Sequence, residues 1–140
     1  MFAELVINIE AALTGTYHYH IPGDLEPVLR VGHLVEVEFG RRLAQGIIVG
    51  FYDSSPVADT KPVVAMIETD PVVTKWQIDL AFWLSNYYLA PVNSCLRLML
   101  PPGLTRWADI TVDINPYWQG GDRLTDKQTE LITLLEDKGA

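Results

Sequence analysis

Residues 16–50 decide the fold: Thr16-Tyr17-His18-Tyr19-His20-Ile21-Pro22, then Val31-Gly32-His33-Leu34-Val35-Glu36-Val37-Glu38-Phe39-Gly40-Arg41-Arg42, then Gln45-Gly46-Ile47-Ile48-Val49-Gly50. Each piece reads as a short strand closed by Gly or Pro, the residues that let a chain turn. Leu34, Val35, Val37 and Phe39 interleave with Glu36 and Glu38, the period-two signature of a half-buried antiparallel strand. Gly32, Gly40, Gly46 and Gly50 are expected at strand ends, where positive φ or close backbone approach is needed. The pattern predicts a mainly β fold, a small, tightly turned β-barrel.

Outward from this stretch, Glu4–Glu10 alternates and reads as a first strand, and the barrel strands run on to Phe51-Tyr52. Asp53-Ser54-Ser55-Pro56 opens an exposed loop reaching Lys61, and Pro62–Glu68 is a further strand. Thr74 with Gln77 forms a capping box that starts a helix at Lys75. Trp76, Leu80, Trp83 or Leu84, and Tyr87 recur at helical spacing, predicting an amphipathic helix docked on the barrel. On this reading Trp76, Phe82, Trp83, Tyr87 and Tyr88 pack into the core and are not a base-stacking stripe. Pro91 opens a second short helix through Leu100, and Pro101-Pro102-Gly103 stops it.

The character changes after Gly103. Ile110, Val112 and Ile114 alternate as a strand, Gln119-Gly120-Gly121-Asp122 is a turn, and Thr125 with Gln128 starts a helix. That helix carries Leu131, Ile132, Leu134 and Leu135 on one side, with Gly139 as its C-cap. A strand and a helix with a bare apolar face are half of a domain. We therefore expect a barrel over residues 1–103 and, over 104–140, a linker and an incomplete second domain, as the N-terminal portion of a longer protein.

Composition narrows the function. Hydrophobic residues at 49% with 20% charged residues describe a soluble globular protein, with no apolar run approaching the roughly 20 residues of a membrane span. Met1-Phe2-Ala3-Glu4 lacks the basic region of a signal peptide. The single cysteine, Cys95, excludes an internal disulfide and reads as a buried thiol of a cytoplasmic protein. His18 and His20 are two apart on a strand and His33 lies near in sequence, but nothing fixes a fourth ligand, so no metal is expected. Neither a nucleophile motif nor a G-x-x-x-x-G-K-[ST] phosphate loop is present, and Glu36 and Glu38 share a solvent-facing strand face. The chain reads as non-catalytic and without cofactor. The net charge is −8, with six Lys and Arg against eleven Asp and Glu in residues 1–103. A long basic groove for a nucleic-acid backbone is thereby excluded, and any contact with DNA must be local, as in reading a strand terminus.

One resemblance sharpens this. Aromatic-x-Tyr before a Pro-Gly turn, then V-G-x-x-V-x-V-x-F-G and G-I-I-V-G, is similar to the N-terminal DNA-binding domain of the primosomal protein N′ (PriA) family of replication-restart helicases. The likeness continues through Lys61-Pro62-Val63-Val64, Asp70-Pro71-Val72-Val73-Thr74, Trp83-Leu84-Ser85-Asn86-Tyr87-Tyr88 and Leu98-Met99-Leu100-Pro101-Pro102-Gly103. It implies recognition of the 3′ end of the nascent leading strand at a stalled fork. It also implies that residues 104–140 begin a winged-helix domain, and that helicase domains of the same chain and primosome proteins are partners besides DNA. Where the family has aromatic-Asp-Tyr, its acidic residue accepting a hydrogen bond from the terminal 3′-hydroxyl, this chain has Tyr17-His18-Tyr19. Neutral imidazole can accept that bond, and protonation would remove the acceptor, making recognition pH-dependent.

The resulting candidate DNA-binding set is Tyr17, His18, Gly40, Arg41, Arg42 and Lys61. Tyr17 is read as the stacking residue, His18 and the Gly40 backbone as contacts to the terminal sugar, and Arg41, Arg42 and Lys61 as phosphate contacts. Tyr19 is expected on the face opposite Tyr17, in the core. The alternative is a protein-interaction or structural barrel that docks a peptide by strand addition. Convergence of Arg41, Arg42 and Lys61 on His18 would favour DNA, and a surrounding of acidic residues the alternative.

Overall fold

A computed structural model describes residues 1–104, 114–121 and 123–138. The chain divides into two units, Met1–Arg106 and Trp107–Ala140. In the first, five strands form one antiparallel sheet: β1 (Phe2–Asn8), β2 (Tyr17–His20), β3 (Leu34–Phe39), β4 (Arg42–Tyr52) and β5 (Val63–Met66), in the order β2-β1-β4-β3-β5. The sheet curls into a half-barrel. Its two edges meet at a single parallel bridge, His20 with Pro62, where the His20 N–H donates to the Lys61 carbonyl at 3.0 Å.

Alternation sorts the strands as the sequence predicts. Ala3, Leu5, Ile7, Tyr19, Val35, Val37, Ala44, Ile48 and Val63 fill the concave side. Val6, Leu34 and Ile47 point outward and are covered by the helices α1 (Lys75–Tyr88) and α2 (Val92–Arg97). Tyr17 packs on the same inner cluster as Tyr19, which corrects the expectation that the two face apart. They are two residues apart, and a period of two puts them on one side. Gly46 and Gly50 also depart from expectation, lying inside β4 and not at its ends. At Gly46 the need is room, because a Cβ there would come within 3.0 Å of Leu5 Cδ2. Gly40 does turn the chain: with φ 65° it opens the two-residue Gly40-Arg41 hairpin between the paired residues Phe39 and Arg42. Arg41 keeps a negative φ, so the turn is of the II′ kind, which places its glycine first.

The capping box forms as read. The Thr74 side chain accepts from the Gln77 N–H, and Gln77 Oε1 accepts from the Thr74 N–H at 2.8 Å. The buried face of α1 is different from the one expected. Ile78 and Ala81 are buried, with Phe82 and Leu84 partly so, while Trp76 is 84% exposed and Leu80, Trp83, Tyr87 and Tyr88 also face solvent. A small residue at 81 lets the helix approach closely, and the bulkier stripe is rotated off the contact. Trp83 and Tyr87 stack on each other instead, their ring centroids 5.0 Å apart. Trp76→Ala is therefore expected to change unfolding free energy by no more than about 0.5 kcal/mol in a denaturant titration. A core tryptophan would cost several times that.

In the second unit, α3 (Asp126–Lys138) begins at the predicted capping box, with the Thr125 N–H donating to Gln128 Oε1 at 2.9 Å. Leu131 and Leu134 are exposed on it. The expected strand over Ile110, Val112 and Ile114 lies largely outside the described residues, as do Asp122 of the expected turn and the Gly139 cap. Among the described residues, no helix is long and apolar enough to cross a membrane.

Candidate nucleic-acid interface

Because the half-barrel closes at only one bridge, a gap remains beside it. There the free edge of β2, the β3–β4 hairpin and the segment before β5 enclose a pocket of about 300 Å³, lined by Thr16, Tyr17, His18, Tyr19, Glu38, Phe39, Gly40, Val57, Asp59 and Lys61. The His20 N–H faces this gap, and His18, two residues earlier on the same strand, presents its own N–H and C=O to the same side. Tyr17 forms one aromatic wall, edge-on to Phe39 with centroids 4.9 Å apart. Tyr19 spans the interior and donates its hydroxyl to the Glu38 carbonyl at 3.1 Å. Its phenol is raised above the ordinary 10.0, first by burial and then by Tyr17 and Glu38, so it stays a neutral donor.

Lys61 ties the segment before β5 to the hairpin tip, donating to Glu38 Oε1 at 2.8 Å and to the Gly40 carbonyl at 2.9 Å. On the outer face, Glu4 accepts from Thr16 Oγ1 at 2.6 Å and from the Tyr52 hydroxyl at 2.8 Å. That bond and the Glu4 charge raise the Tyr52 phenol above its ordinary value. His18 is paired opposite Glu4 in the β1–β2 ladder, its ring tilted against Tyr52 at 5.7 Å. Its Nδ1 is buried and has no hydrogen-bond partner. His20 secures the closure, with Nδ1 3.0 Å from the Thr60 carbonyl. His33 is 2% exposed and joins two loops, Nδ1 accepting from the Arg30 N–H at 2.7 Å and Nε2 lying 3.2 Å from the Thr69 carbonyl.

Of the six residues picked from sequence, Tyr17, His18, Gly40 and Lys61 line the pocket together. Arg41 and Arg42 are exposed on the adjoining hairpin outside it, and neither has an acidic partner among the described residues. Sequence reasoning missed Thr16, Phe39, Val57, Glu38 and Asp59 as lining residues. Asp59 was legible in principle, since it stands two residues before Lys61, the spacing that puts neighbours on one side of an extended segment. The electrostatic criterion thus gives a divided answer: one lysine converges on the pocket, but two carboxylates accompany it.

Comparison with known proteins decides between the readings. Residues 4–101 match the family described as the 3'DNA-binding domain (3'BD) of PriA. The replication restart protein PriA of Chlamydia muridarum is 33% identical over 98% of this chain and 18% of its own length. That of Synechocystis sp. is 32% identical over 90% of the chain and 15% of its own length. That of Bacillus subtilis is 29% identical over 74% and 13%, respectively. The chain thus spans less than a fifth of each of these relatives. With an aromatic-walled pocket at the open edge of a half-barrel and a family match across both, this chain belongs to the PriA 3′ DNA-binding domain family.

Proposed function

We propose that the chain holds the 3′ end of a DNA strand in the pocket at the free edge of β2, and so serves a cytoplasmic replication-restart protein in finding the nascent leading strand at a stalled fork. The observation that carries this is the convergence of Tyr17 and His18, Gly40, and Lys61, from three separate stretches of sequence, on one pocket of about 300 Å³. That size lies at the low end of small-ligand sites and suits one nucleoside, not a run of strand. The terminal base lies against Tyr17, a contact of about 1–3 kcal/mol that is indifferent to sequence. The backbone of His18 and Gly40 meets the terminal sugar, the His18 ring being turned to Tyr52 on the face of Glu4, while Lys61, Arg41 and Arg42, the last two without an acidic partner among the described residues, take the phosphates leading away from it. The chain itself carries no catalytic step in this scheme. Residues 104–140 begin a winged-helix domain, and helicase domains and primosome proteins complete the machine.

The test compares a linear single strand with a covalently closed circle of the same length and sequence, in fluorescence titrations at low salt. Both offer the same phosphates, but only the linear strand has an end. The linear strand is expected to bind about tenfold more tightly, the equivalent of one stacked base. Equal affinity would leave only phosphate attraction and overturn terminus recognition.

A further inference from the structure

We infer that Glu38 competes with DNA phosphate for Lys61, holding the lysine across the pocket and weakening the grip on a strand. The inference rests on the reading that a strand end occupies the pocket, and adds the residue that sets how firmly it is held. Register brings the two side chains together. Val37 of β3 pairs with Val63 of β5, and continuing that antiparallel register places Lys61 opposite Phe39, between Glu38 and Gly40. Lys61 Nζ meets both neighbours, donating to Glu38 Oε1 at 2.8 Å and to the Gly40 carbonyl at 2.9 Å. Asp59, the other carboxylate of the lining, makes no ion pair among the described residues.

An ammonium has three N–H donors, and two of these are engaged. A phosphate entering the pocket therefore meets a cation whose charge a carboxylate already answers. Exchange of partners is open to it, because both side chains of the pair are about half exposed and an exposed pair contributes little net stability. A backbone phosphate carries one negative charge, as Glu38 does, so the exchange gains little by charge alone. Once Lys61 has moved, the freed Glu38 carboxylate also repels the phosphate. Glu38 thus keeps the phosphate attraction of the pocket low, and stacking on Tyr17 supplies more of the affinity than charge does.

The experiment titrates the whole chain against a fluorescent linear single strand at low salt, as a double-mutant cycle. It uses the unaltered protein, Glu38→Gln, Lys61→Met and the two changes combined. Glu36→Gln, two residues earlier on β3 and outside the pocket lining, controls for loss of one negative charge. Glutamine still offers Lys61 an acceptor, so the hairpin contact survives as a neutral hydrogen bond. Glu38→Gln is expected to bind about threefold to fivefold more tightly than the unaltered protein, the scale of an exposed ion pair. On the Lys61→Met background the same change should gain less than about half as much, because only repulsion is left to relieve. Glu36→Gln should gain less than about 1.5-fold, its charge being screened. Three outcomes overturn the inference: no gain in Glu38→Gln, an undiminished gain on the Lys61→Met background, or an equal gain in Glu36→Gln. The linear-against-circle comparison on the unaltered protein is untouched by these outcomes, so terminus binding can stand while Glu38 fails as the competitor.

Discussion

Gly32→Ala is expected to remove about 4 kcal/mol of stability from the half-barrel, much of what a domain of this size has in total. Two independent costs combine. Gly32 has φ 94°, where a side chain brings strain of about 1–3 kcal/mol. A Cβ at this position would also be driven into the Val73 carbonyl oxygen, a crowding cost of about 1–3 kcal/mol in a packed interior. Relief by local movement is blocked, because the Gly32 N–H donates to the Ile48 carbonyl at 2.8 Å and its carbonyl accepts from the Val72 N–H at 2.9 Å. Val73 precedes Thr74, the cap of α1, so yielding there would unseat the helix. Gly40→Ala separates the two costs, since Gly40 also has positive φ but no atom within 4 Å of an added Cβ. In thermal unfolding followed by circular dichroism, Gly32→Ala should melt roughly 15–25 °C lower than the unaltered chain. Gly40→Ala should lose less than half as much. Equal losses would show that the Val73 contact relaxes away and would sink the argument.

Much of this architecture is legible in the residues themselves. Val35, Val37 and Phe39 against Glu36 and Glu38 mark the two faces of β3, and the Thr74–Gln77 pair fixes the first turn of α1. What local pattern cannot supply is the choice between two usable faces. On α1 the stripe Trp76, Leu80, Trp83, Tyr87 has the larger apolar surface, yet Ile78 and Ala81 are the buried residues, in one cluster with Val6, Leu34 and Ile47 of the sheet and Val92, Cys95 and Leu96 of α2. Helical periodicity identifies a stripe, but shape complementarity against β1, β3 and β4 decides which stripe is buried. Gly46 shows the same limit, because its need for room comes from Leu5, on a strand remote in sequence.

The site is legible to a similar degree. Tyr17, His18, Gly40 and Lys61, each picked from a recognisable sequence setting, line one cavity. The carboxylates were not found, because Glu38 reads as one more exposed strand residue and Asp59 as loop. Only the curl of the sheet, which brings residues 57–61 beside β2 at the His20–Pro62 bridge, makes them part of the pocket. Their presence reconciles an acidic chain with DNA binding. On the proposed reading a terminus offers hydroxyls as well as phosphates, so acceptors suit the pocket, with Lys61 inside it and Arg41 and Arg42 outside on the hairpin.

Asn93→Ala is the second change expected to have a large effect, and it tests how the pocket is held from a distance. Asn93 is 3% exposed on α2, and its side chain satisfies three backbone groups of the link between β1 and β2. Nδ2 donates to the Ile9 carbonyl at 3.1 Å and the Ala11 carbonyl at 2.7 Å, and Oδ1 accepts from the Leu13 N–H at 3.1 Å. That link runs directly into Thr16, Tyr17 and His18, so the helix layer sets where the pocket edge begins. Alanine removes all three partners at once. Part of the loss is recovered by water, because residues 10–12 are exposed, which leaves a cost of about 2–4 kcal/mol. A melting temperature lower by roughly 10–20 °C is the expected result. Amide hydrogen exchange should accelerate across residues 9–17 more than in β3 and β4, since the defect lies in the link and not in the sheet centre. Under conditions where the variant remains folded, preference for the linear strand over the circle should shrink, while attraction to phosphates through Arg41 and Arg42 persists. Uniform acceleration of exchange across the sheet would mean that Asn93 supports the whole fold and not the link, and unchanged melting would mean that water replaces it fully.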